Sequence, residues 1–456
     1  MEKSSFFERL NNWAKRSVTL KLISIGVLIL ILLIPTSMLT SLIYERQGLR
    51  DSAIDEVSSK WGNAQTFGGP VLSIPYTTII KDDKGQSETV IRYAHFLPDQ
   101  IKITGVVTPE KRYRGIYVVV LYSTKLHVTG KFSYPDIKAL NIPESSYLFN
   151  DASISLGIPD MKGINEAITF KMNDTSYSFN PGLPTHDIFT SGASFGFELL
   201  KQGTYTFDFD VNLNGSTSLN FLPFGKETTV SLHSNWDSPK FEGAFLPDTR
   251  EISTQGFTAD WKVLQLNRNY PQQGLGSFIS PATNEYQTPS DYSMASFGVR
   301  LLLPIDEYQK AMRSVKYCIM FIIITFLTFF FVEVLNKKRI HPIQYLLVGF
   351  AVCLFYVLLL SISEHLKFDS AYLIGCVSIL VLITFYAKNV FKNNKLTAIF
   401  SALLALLYGF FYSLMQLEDY SLLLGSLGLF IILGTIMYLT RKVDWYGISS
   451  GSQPES

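Results

Sequence analysis

Apolar residues along this chain fall into two blocks, one near the N-terminus and one in the last third, with a stretch of ordinary water-soluble character between them. A bilayer core about 30 Å thick takes roughly 20 apolar residues of helix, because backbone polar groups must be satisfied within the segment. Residues 22–43 carry no charge and are long enough. No small-residue cleavage site follows, so they read as an uncleaved anchor. Five more spans are expected at 317–335, 343–363, 371–387, 396–417 and 420–440.

Past residue 43, Leu49, Ala53, Ile54, Val57 and Trp61 keep a helical stripe, which predicts that the first helix continues beyond the membrane until Gly68-Gly69-Pro70 stops it. The pattern then changes to short runs rich in Val, Ile, Thr, Tyr and Phe. Strands are predicted at 71–80, 115–121, 126–132, 205–213, 228–233 and 294–303. Asp82-Asp83-Lys84-Gly85 and Asn212-Leu213-Asn214-Gly215 read as turns between them. Many strands and few helical patterns predict an all-β, sandwich-like domain over 44–316, and its length leaves room for two subdomains. A faint echo fits an internal duplication: Leu121-Tyr122-Ser123 with Gly130-Lys131-Phe132, against Leu232-His233-Ser234 with Gly243-Ala244-Phe245. The fold class expected is therefore an α+β membrane protein, with an N-terminal transmembrane anchor, a large β domain and a C-terminal five-helix bundle.

Charge decides the orientation. Lys3, Arg9, Lys15, Arg16, Lys21, Lys337, Lys338, Arg339, Lys388, Lys392, Lys395, Arg441 and Lys442 flank the spans on one side, and Lys367 stands alone in the short loops of the other. The positive-inside rule then puts both termini (1–21 and 441–456) in the cytoplasm and 44–316 in the periplasm. Phe6, Leu10, Trp13 and Ser17, at helical spacing beside Arg9 and Arg16, read either as an amphipathic surface helix or as a loose basic tail. Trp445 and Tyr446 suit an interfacial anchor. The net charge of +1 across 456 residues gives no reason to expect nucleic acid. All three cysteines, Cys318, Cys353 and Cys376, lie in apolar segments, so the β domain must stand without disulfides.

Candidate chemistry is sparse. No HExxH, CxxC or phosphate-loop motif occurs, and the histidines show no metal-ligand spacing, so no catalytic, cofactor or metal residue is expected. The G-x-S-x-G matches at Ser194 and Ser449 lack the strand–turn–helix setting of a nucleophile elbow. Ionisable groups near the bilayer carry more information, since each is costly there unless paired or wetted. Glu333 is expected to pair with Lys337 at i,i+4, or else to act within the membrane. Glu364, His365, Glu418 and Asp419 are expected at one depth on the outer face, either as an acidic site for a proton, cation or partner, or as interfacial residues fixing helix depth. In the fifth span Thr397, Ser401, Ala405, Gly409 and Ser413 form a small-residue ridge, which predicts close packing inside the bundle.

Several longer words resemble one family, the CreD inner-membrane proteins of Gram-negative bacteria. They include 69–76 (GPVLSIPY), 234–243 (SNWDSPKFEG), 340–349 (IHPIQYLLVG), 355–365 (FYVLLLSISEH), 416–420 (QLEDY) and 441–446 (RKVDWY). The resemblance implies a multi-pass protein of the bacterial inner membrane tied to envelope homeostasis. It also implies control in some bacteria by a two-component system, with links to cell-wall antibiotics and colicins, and it implies no enzymatic activity or cofactor. The expected function is envelope integrity, with the β domain binding or scaffolding a periplasmic or inner-membrane partner and the lipid bilayer as its other neighbour. Proton or small-solute handling in the bundle, or signal reception with a separate partner, are the alternatives.

Overall fold

The computed structural model describes residues 18–81, 86–200, 203–279, 295–303, 307–336, 340–416 and 421–441. The basic tail before Val18, the turn at 82–85, Ser449, Trp445 and Tyr446 lie outside them. The chain divides into two compact units, one of residues 50–304 and one of residues 1–49 with 305–456.

Six long apolar helices occupy the six expected segments: α1 Val18–Trp61, whose residues to 49 belong to the second unit, and, wholly within that unit, α3 Cys318–Leu335, α4 Pro342–Ser363, α5 Phe368–Phe391, α6 Asn394–Gln416 and α7 Ser421–Thr440. Helices α1, α4, α5 and α6 are each long and apolar enough to cross a bilayer. Helix α3 joins them when counted with a short preceding helix, and in α7 the described apolar stretch is the shorter Leu423–Thr435. That preceding helix, α2 Glu307–Lys316, meets α3 at a bend of 42°. It corrects the expected boundary: residues up to 316 were assigned to the β domain, whose unit ends at residue 304. Its low hydropathy hid it from a search for spans.

Helix α1 buries Leu32, Thr36, Leu39 and Ile43 in steps of four, three and four, the spacing of a helix–helix seam. Leu30, Ile34 and Met38 on its other side stay exposed, as lipid-facing residues should. Gly349 of α4 seats Leu32, because a Cβ there would lie 2.2 Å from the leucine Cδ1.

The β domain is one sandwich. Its first sheet has nine strands in the order Pro239–Gly243, Phe297–Leu301, Ser218–Phe221, Gln65–Lys81, Ala152–Gly157, Gly192–Phe197 and Asn180–Pro181. Ser87–Phe96 and then Gln273–Leu275 join beside Gln65–Lys81. The second has eight: Thr249–Ser253, Gly256–Leu264, Glu227–Ser234, Gln100–Arg114, Tyr117–Ser133, Thr204–Ser216, Thr169–Met172 and Thr175–Ser178. A single buried cluster draws on both sheets, so the room left for two subdomains is not used. Phe170 of the second sheet is fully buried, with ring centroids 5.0 Å from Phe209 and 5.3 Å from Phe195 of the first.

Three strand-level expectations change. Residues 115–121 and 126–132 belong to one long strand, Tyr117–Ser133. The two echoing stretches follow different paths, since the first continues along that strand while the second leaves Glu227–Ser234 for the other sheet at Pro239–Gly243. Asn212-Leu213-Asn214-Gly215 is strand rather than turn. The amide of Asn214 exchanges hydrogen bonds of 2.8 and 2.9 Å with Asn165, and the missing side chain of Gly215 leaves room for the Tyr122 hydroxyl. The turn falls instead at Thr217, whose φ is +59°.

Because Phe170 bridges the sheets, Phe170→Ala should cost about 3–5 kcal/mol, the usual toll for truncating a buried phenylalanine. Denaturant titration of the detergent-solubilised chain, followed by tryptophan fluorescence, measures the shift.

Candidate functional site

In the second sheet, strand alternation sends every other residue outward. Register aligns Thr249, Asp260, Ser231, Thr104, His127 and Asp210 in one outward row across six strands. Asp260 accepts hydrogen bonds from Ser231 (2.6 Å) and Thr249 (2.9 Å), and a His127 ring nitrogen lies 2.8 Å from Asp210. A neighbouring pair, Asn212 and Glu166, is joined at 2.6 Å. All of these side chains except Thr249 line an open cleft of about 690 Å³. Its hydroxyl, amide, imidazole and carboxylate groups suit hydrogen-bonded recognition of a polar ligand or chain.

Two paired carboxylates mark the membrane unit. Glu333, only 3% exposed, accepts from Lys21 Nζ at 2.6 Å, the Tyr345 hydroxyl at 2.9 Å and the Ile340 N–H at 3.1 Å. Its described partners thus come from α1, from α4 and from the segment leading into α4. The expected partner, Lys337, lies outside the described residues. Glu364, at the end of α4, lies 3.7 Å from Arg46 of α1 and accepts from Tyr308 of α2 at 3.2 Å. His365 is exposed beside it, and Glu418 and Asp419, the other two residues of the expected cluster, lie outside the described residues.

The small-residue ridge of α6 does not carry the packing expected of it. Ala405, Gly409 and Ser413 are exposed, while Thr397 is buried and Ser401 shares a 2.8 Å hydrogen bond with Thr384 of α5. The packed face is aromatic and aliphatic instead. Tyr408 and Phe411 lie 4.6 and 4.3 Å from Phe321 of α3, and Tyr408 lies 5.0 Å from Phe355 of α4. A run of aromatics that large fills the bundle, leaving the small side of the helix outward.

Sequence reasoning also missed a trio of which two members, Ser73 and His95, are buried and the third, Asp187, is half-buried. Ser73 and His95 oppose each other on adjacent strands with Ser73 Oγ 2.8 Å from His95 Nδ1, and His95 Nε2 lies 3.2 Å from Asp187 Oδ2. The residues are 22 and 92 positions apart, so only sheet register reveals them. Ser73 is 2% exposed within a central strand, and His95 stacks between Tyr93 and Phe278. This arrangement clamps the loop bearing Asp187 onto the sheet. The hydrogen bond from His95 holds the Asp187 carboxyl below the usual carboxylate range, against the opposing effect of burial. Ser194 lies mid-strand and donates to Gly182 O at 2.8 Å, not on an elbow.

A family model described as Inner membrane protein CreD matches residues 17–446. The inner membrane protein CreD of Escherichia coli (strain K12) is 31% identical over 438 residues, which covers 94% of each chain.

Tyr345→Phe should destabilise the membrane unit by about 1.5–3 kcal/mol, the worth of a hydrogen bond to a charged group. Lys21→Met should cost more, because it strips the counter-charge from a buried carboxylate. Thermal aggregation in detergent ranks the two. For the clamp, a depressed Asp187 pKa means its contribution is present above the unfolded value and lost as pH falls through the folded one. Asp187→Asn should therefore flatten the acid limb of stability against pH, read by denaturation at stepped pH.

Proposed function

The chain belongs to the CreD family of inner membrane proteins, and we propose that it supports the cell envelope as a non-enzymatic binding or scaffolding module. Its six apolar helices serve as anchor, and the β domain meets a protein or another envelope component in the periplasm. The outward cleft of the second sheet carries this reading: it gathers convergent polar side chains, most of them fixed by cross-strand register. The excess of Lys and Arg on one side of the spans supports the periplasmic placement. In the membrane unit, Glu333 and Glu364 are both engaged by cations of α1, which favours an anchoring role for the bundle over handling of a proton or solute.

Ser231→Arg, which fills the cleft floor, should abolish rescue of a deletion strain while membrane levels stay unchanged. Full rescue would sink the binding reading. Lys125→Cys, exposed on the same face, should react with a membrane-impermeant maleimide once the outer membrane alone is permeabilised. Labelling only after the inner membrane is opened would reverse the orientation.

A further inference from the structure

Among the described residues, the strand Ser87–Phe96 has an outer neighbour only at its end. Gln273–Leu275 pairs only with residues 94–96, and the register with Gln65–Lys81 on the other side continues to Ser87. Among the described residues no strand covers the outer edge of 87–92. The phase of that edge is fixed: the Leu97 N–H donates to Gln272 O at 2.9 Å and the Gly276 N–H to Tyr93 O at 3.2 Å. Odd-numbered residues therefore turn their main-chain groups outward. Ser87, Thr89 and Ile91 present them beyond the last paired position.

Unprotected edges are rare because they template pairing, and proteins usually blunt them with proline, inward charge or a bulge. Over Ser-Glu-Thr-Val-Ile-Arg, residues 87–92, this one has no proline and no bulge, and its two charges, Glu88 and Arg92, stand on the same face as the core residues Ala94 and Phe96. It is also complementary to itself. In an antiparallel pairing of two copies centred on Val90, Thr89 of each copy faces Ile91 of the other, and both positions have outward main-chain groups, so each such pair exchanges both bonds. The alternate positions are the closer, non-hydrogen-bonded ones. There Val90 meets Val90, and Glu88 of each copy faces Arg92 of the other, giving two opposite-charge pairs by symmetry. Glu88, Thr89, Ile91 and Arg92 are exposed, and Ile91 is 59% exposed. The phase, the branched residues and the charges thus agree on a single register.

We propose that this edge is a two-fold interface at which the β domains of two copies of the chain join their nine-stranded sheets. Closed two-fold pairing satisfies both edges at once and leaves none open to further growth.

The test is cysteine crosslinking of the full-length chain in membranes. Val90→Cys sits where side chains approach most closely, and mild oxidation should give a species of twice the chain mass. Ile252→Cys, exposed on the far edge of the other sheet, should give no more than the unaltered chain, whose three bundle cysteines set the background. Adding Glu88→Arg should lower the Val90→Cys dimer by roughly tenfold, since two pairs become repulsive, and adding Arg92→Glu as well should restore it. Equal crosslinking at Val90 and Ile252, no Val90 dimer, or a product of any other mass would each overturn the proposal. So would a monomeric mass for the unaltered chain in detergent at high protein concentration, a reading that needs no variant.

Discussion

A helix crossing lipid can carry charge only where a partner waits, and α1 meets that constraint at both ends. Lys21 engages Glu333 and Arg46 engages Glu364. The two cations are about 25 residues apart, or about 38 Å at 1.5 Å per residue. That is close to the full thickness of a bilayer with its headgroup regions. The apolar seam from Leu32 to Ile43 lies between the pairs. The ion pairs therefore set depth and rotation, and the seam sets how closely the helix lies against Gly349. Breaking either pair would leave a carboxylate committed to an apolar setting, so these contacts specify the arrangement more than they add to its stability.

The spans were legible in the sequence because length and apolarity alone define them. The β class was equally legible from its runs of Val, Ile, Thr and Phe. Helix α2 was not, since ten polar-faced residues beside a long span look like a loop. The ridge of α6 misled for a physical reason: small residues permit close approach but do not require it, and Tyr408, Phe411 and Phe400 on the other face bury more surface. Asn212-Leu213-Asn214-Gly215 misled because turn propensity is local, while the Asn165–Asn214 amide pair that keeps it extended is contributed from another part of the chain. The row through Asp260, Ser231, Thr104, His127 and Asp210 could not be read without register, since its members come from five strands scattered over about 150 residues.

The two sheets divide the work. The second turns a polar face outward and keeps its alternation strict, as in the Gly256–Leu264 strand. In the first, the central strand is buried on both faces from Phe67 to Tyr76, because the loop carrying Asp187 and the ring of Phe278 cover its outer side over His95. One sheet is thus available as a surface and the other mainly as a frame.

The order of strands in the frame has a consequence for how the protein is made. Gln65, Leu219 and Val299 stand side by side on three adjacent strands. The first strand pairs over residues 72–81 with the strand that follows it, but its opening residues 65–67 wait for one synthesised some 150 residues later, which the last strand of the domain then flanks. Such long-range pairing is slow. While the chain is being made the half-built sheet has its apolar face uncovered, and at 5–20 residues per second that interval is on the order of ten seconds or more. The long-range order of its strands thus weighs on the making of this chain rather than on the finished fold.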